Sequence, residues 1–115
     1  MGFFDPPSVN ALKKECEFIG GLFGSVHLGQ FSAADLNELV HSEGPRARLQ
    51  AAFAQASAEV GDAKALKAAR WGANLGADAY ARLGRGPYGE VVRAAEDTVE
   101  SIVRPARDVS VVDPR

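Results

Sequence analysis

The strongest metal-binding pattern in this sequence is Glu38-Leu39-Val40-His41, in which a carboxylate and an imidazole three residues apart share one helical face. Di-iron carboxylate bundles use the same spacing, but they repeat it and add carboxylates from further helices. Here the pattern occurs once, so a second subunit would have to complete the site, with Glu15 or Glu17 as a further ligand. Solvated helix ends also carry this spacing by chance, and no cofactor is expected.

Nucleophilic chemistry has thinner support. Cys16 falls within an apolar stripe, where a thiol is an inert core group. Ser25, His27 and Asp35 supply the residue types of a hydrolase triad, yet the chain has no Gly-x-Ser-x-Gly elbow, phosphate-cradling loop or dinucleotide fingerprint. Enzymatic action is therefore the less favoured reading.

Two groupings could face a phosphate backbone. Lys64, Lys67 and Arg70 lie three apart beside Trp71, an arrangement that a solvated helix face also produces. Arg46, Arg48, Gln50 and Gln55 follow a short turn, in the outline of a helix-turn-helix reader. Ala51, Ala52, Ala54 and Ala56 instead mark that segment for packing. A net charge of -2 gives no general attraction to nucleic acid or anionic lipid, so neither is expected as a partner.

The elements that would carry these residues are helices. Val9, Leu12, Cys16, Ile19 and Phe23 alternate at three and four residues, predicting a first helix from Ser8 to Leu22, after which Gly20, Gly21, Gly24 and Gly29 fray the pattern. Ser32 with Asp35 resembles a capping box opening a short helix, with Leu36, Leu39 and Val40 inward and an end before Gly44-Pro45. Leu49, Phe53, Ala56 and Val60 mark a third helix that Gly61 stops. Leu66, Ala69, Ala73, Gly76, Tyr80 and Leu83 mark a fourth. Pro87 suits the first position of a fifth, carried by Val92, Ala95, Val99 and Ile102 and closed by Pro105.

The expected fold is therefore all-α, a four- to five-helix bundle with extended N- and C-terminal arms. It divides into an arm over 1–7, a single domain over 8–104 and a tail over 105–115, a normal size for one core in a chain of 115 residues. The longest mostly apolar stretch, Phe18 to Val26, is well short of the roughly 20 residues a bilayer requires. One cysteine and no signal-peptide pattern point to a reducing, cytoplasmic setting. Abundant alanine and an excess of arginine over lysine suit a GC-rich bacterial or bacteriophage genome.

Contact surfaces remain. Phe3 and Phe4 in the first arm and Val109, Val111 and Val112 in the tail are apolar groups set off by proline, which fold back or dock on a neighbour. Ala68, Gly72 and Gly76 recur every fourth residue, so a second backbone can approach closely. The favoured function is a non-catalytic assembly or adaptor subunit, working by self-association or on a protein partner through Phe3, Phe4, Gly72, Gly76 and the tail valines. The alternatives are a helix-turn-helix regulator and a metal or small-molecule site around Glu38 and His41 at a dimer interface.

Overall fold

The computed structural model describes residues 5–84 and 86–112, with side chains described through Arg104. The chain folds as an all-α bundle of α1 (Pro7–His27), α2 (Ala33–Val40), α3 (Glu43–Val60), α4 (Asp62–Ala81) and α5 (Gly89–Val112), with no strand among the described residues.

α1 begins at Pro7, because the first helical position has no hydrogen-bonded N–H to lose. Its inward stripe is the expected one, with Val9, Leu12, Cys16 and Ile19 buried. The helix does not fray at its glycines but continues to His27, and Gly20, Gly21 and Gly24 are buried within it. Glycine weakens a helix in isolation, but here its missing side chain admits α4, and packing outweighs propensity.

α2 opens as expected: the Asp35 N–H donates to the Ser32 hydroxyl at 3.1 Å, and Leu36 and Val40 are buried. α3 starts at Glu43, before Gly44-Pro45. Pro45 stands in the first turn, where backbone N–H groups have no partner inside the helix, so it breaks nothing there. Leu49, Phe53 and Ala56 point inward. Gly61 ends the helix at φ 92°, a conformation that side chains other than glycine rarely adopt, and α4 follows without a loop.

On α4 the buried positions are Ala65, Ala68, Ala69, Gly72, Ala73, Gly76, Ala77 and Ala81. Ala69, Ala73 and Gly76 of the expected stripe are among them, but its last two members are not: Tyr80 is nearly half exposed, and Leu83 lies beyond the helix in water. The reason is distance, because α1 approaches α4 too closely for large side chains to fit between them.

α5 begins at Gly89, with the Tyr88 carbonyl accepting from the Val91 and Val92 N–H groups, so Pro87 precedes the helix. Ala95, Val99, Ile102 and Val103 are buried. Pro105, expected to close this helix, lies inside it. A proline deletes one backbone hydrogen bond and strains one turn, but helical geometry resumes beyond it. The side chains of Val109, Val111 and Val112, and all of Phe3 and Phe4, lie outside the described residues.

Candidate functional site

The crossing of α1 and α4 is the most extensive contact in the bundle. It is built on glycine from both helices. An ideal Cβ on Gly72 would lie 2.5 Å from the Lys13 carbonyl oxygen, and one on Gly76 would be 2.9 Å from the Gly21 nitrogen and overlap the Glu17 carbonyl. Reciprocally, a methyl on Gly20 would overlap the Ala73 carbonyl, and one on Gly24 would lie 2.5 Å from Tyr80 Cβ. The close approach that the Ala68, Gly72, Gly76 spacing predicts is thus made by α1 of the same chain. Gly72 and Gly76 are buried in that contact, and Gly76 also lines the groove beside it.

Because the seam itself takes only small residues, the large apolar side chains of α4 stand on its flank. Trp71 and Leu75 are 46% and 41% exposed, and Ala79 continues their four-residue spacing. Ala79 lines a groove of about 550 Å³ with Phe18 and Leu22 of α1 and Tyr80 of α4. Phe18 is 51% exposed and Tyr80 46%. Gly21 forms part of the same groove, and an ideal Cβ on it would lie 3.0 Å from the Tyr80 ring, so the ring lies against bare backbone.

The rim of this face carries both charge signs. Lys14 and Glu17 line the groove. Beside Trp71, the Lys13 ammonium sits 4.7 Å from the indole centroid and 2.6 Å from Asp5 Oδ2, with its stem buried. The pair fixes one side of the indole while leaving nearly half of Trp71 in water.

The other candidate residues are dispersed. Glu38 and His41 are both exposed, and His41 Nδ1 lies 2.9 Å from the Asn37 carbonyl oxygen of its own helix. Glu15 faces Arg48, 3.7 Å away, and Glu17 lies in the α1/α4 groove. Among the described residues no group of three or more His, Cys, Asp or Glu side chains is placed to hold a metal ion. Cys16 is fully buried, and this burial, with a smaller contribution from the Glu15 carboxylate, pushes its thiol far above the ordinary range. A thiol held protonated is a poor nucleophile.

The basic groupings are engaged within the fold only in part, and Lys64 and Lys67 stand exposed on α4. Arg70 donates to Glu100 at 2.6 Å, Glu96 at 3.1 Å and Asp97 at 3.3 Å on α5, which neutralises it as a phosphate contact. Gln50 turns inward and donates to the Ile102 carbonyl at 3.0 Å. Arg48 stands 3.7 Å from Glu15 and is exposed on α3 along with Arg46 and Gln55. No helix among the described residues is long and apolar enough to cross a membrane.

Sequence reasoning missed Phe18, Trp71, Leu75 and Tyr80 as a surface. The available signal was the Trp71-x-x-x-Leu75-x-x-x-Ala79 spacing next to the alanine-glycine stripe, which places large and small apolar residues on adjacent faces of one helix. The chain matches no family model, no curated protein and no solved structure.

Proposed function

We propose that this chain is a non-catalytic helical subunit that works by protein–protein contact, with copies of itself, through the outer face of α1 and α4. The observation that carries this reading is the exposure of Phe18, Trp71, Leu75 and Tyr80 along one seam. Fully burying a large apolar side chain contributes about 1.5–3 kcal/mol, of which these half-covered side chains retain roughly half each, and aromatic residues dominate interface energetics, so covering this face supplies a driving force for association. The intermixed Lys14 and Glu17 on the groove suit a self-complementary contact, in which each charge meets its opposite on a second copy.

Sedimentation equilibrium at micromolar concentration tests the proposal with wild type and a Phe18→Ser/Leu75→Ser variant. Both positions are exposed, so the variant keeps its core. The expected result is a mass above the monomer for wild type and the monomer mass for the variant. A wild-type monomer at every concentration, or an oligomer indifferent to the double substitution, refutes the assignment of this face.

A further inference from the structure

One end of the α1/α4 face lies where the chain enters its first helix. Asp5 Oδ2 is 2.6 Å from the Lys13 ammonium, and both side chains are mostly buried. The same ammonium stands 4.7 Å from the centroid of the Trp71 ring, so a single charged group links Asp5 to the indole. Pro6 is extended, at φ -61° and ψ 156°, and Asp5 therefore leaves the line of α1 instead of continuing it. Ser8 Oγ donates to Glu59 at 2.9 Å and ties the first turn of α1 to α3. The chain before Pro6 is thus anchored beside Trp71, which is nearly half exposed.

The two residues that precede this anchor are Phe3 and Phe4. They start within about 7 Å of Asp5, because an extended chain covers at most about 3.6 Å per residue. Tyr80 lies nine residues beyond Trp71 on α4, about 13 Å further along at 1.5 Å per residue. The segment therefore reaches the Trp71 end of the face and falls short of the groove at Phe18 and Tyr80. Two phenyl rings held in water next to an exposed indole lose by area, and an aromatic pair adds a preference of about fivefold for contact.

We propose that Phe3 and Phe4 dock on the exposed part of Trp71 in their own chain and cover that end of the α1/α4 face. A second copy then competes with the segment for Trp71, so the segment limits self-association. This limiting role rests on the reading of the face given above, whereas the docking itself does not.

Trp71 is the single tryptophan of the chain, and its emission reports the contact. The test compares emission and acrylamide quenching of the full chain, diluted until sedimentation shows the monomer, for wild type and Phe3→Ser/Phe4→Ser. Phe18→Ser, on the groove end of the face, is the control. The expected result is emission at longer wavelength and stronger quenching in the double variant, with the control like wild type. At higher concentration the double variant should associate more tightly by about fivefold or more, because each copy exposes Trp71 more often. Equal emission and quenching in monomeric wild type and double variant overturns the docking. A difference confined to the oligomer assigns the segment to Trp71 of a second copy and also overturns it. Unchanged association in the double variant overturns the limiting role. A wild type that stays monomeric at every concentration refutes the self-association reading, and the emission comparison then still decides the docking.

Discussion

Replacing Gly76 by alanine tests whether the α1/α4 crossing is set by backbone contact. A methyl on Gly76 would overlap the Glu17 carbonyl and lie 2.9 Å from both the Glu17 carbonyl carbon and the Gly21 nitrogen. These are backbone atoms of α1 and cannot rotate away, so the helices must part. Overpacking of this kind costs about 1–3 kcal/mol, and rigid obstacles place it at about 3. Alanine recovers about 1 kcal/mol through helix propensity. The net loss is about 2 kcal/mol, or about 8 °C in Tm for a domain of this size. Far-UV circular dichroism during urea and thermal unfolding measures it. Gly89→Ala is the control, because nothing lies within 4 Å of an ideal Cβ there, and it should leave stability unchanged or raise it by up to about 1 kcal/mol. A Gly76→Ala protein as stable as wild type would refute the close-crossing account.

Other substitutions test the groups around that core. Asp5→Ala, which strips the Lys13 ammonium of its partner, should cost about 1–2 kcal/mol and more than Lys13→Met, which keeps the buried stem and removes the charge; chemical denaturation compares them. Arg70→Ala leaves Glu96, Asp97 and Glu100 without their shared cation and should cost about 1–2 kcal/mol at low salt, less at 1 M, as read from urea midpoints in both buffers. Cys16, with its folded thiol raised, is protonated in the native state where the unfolded thiol ionises. Its contribution is therefore complete below about pH 8.5 and falls by up to about 1.4 kcal/mol per pH unit above it, a slope that Cys16→Val should remove from pH-dependent unfolding curves. A thiol reagent should leave native Cys16 unmodified and label it only on unfolding.

Where a helix faces an ordinary apolar core, its sequence shows it. The Val9, Leu12, Cys16, Ile19 stripe, the Ser32 cap and the Leu49, Phe53, Ala56 stripe all stand where their spacing puts them. The misreadings share a cause: the role of a small residue depends on what approaches it. Gly20, Gly21 and Gly24 read as breakers because propensity describes an isolated helix, while their role is to admit the backbone and side chains of α4. On α4 the large residues look like the core stripe, yet the seam accepts only alanine and glycine, and this same exclusion turns Trp71, Leu75 and Tyr80 outward. The candidate interface was therefore hidden by the feature that creates it. Glu38 and His41 illustrate the reverse case, since spacing on one helix says nothing of a third ligand, and none stands with them among the described residues.

The contact between copies is tested most directly by isotope-filtered NOE spectroscopy on an equimolar mixture of ¹³C,¹⁵N-labelled and unlabelled chain. The account predicts intermolecular NOEs from the ring protons of Phe18 and Tyr80 and the methyl groups of Leu75. NOEs between copies that involve only α3 and α5, or none at concentrations where wild type sediments as an oligomer, would contradict it.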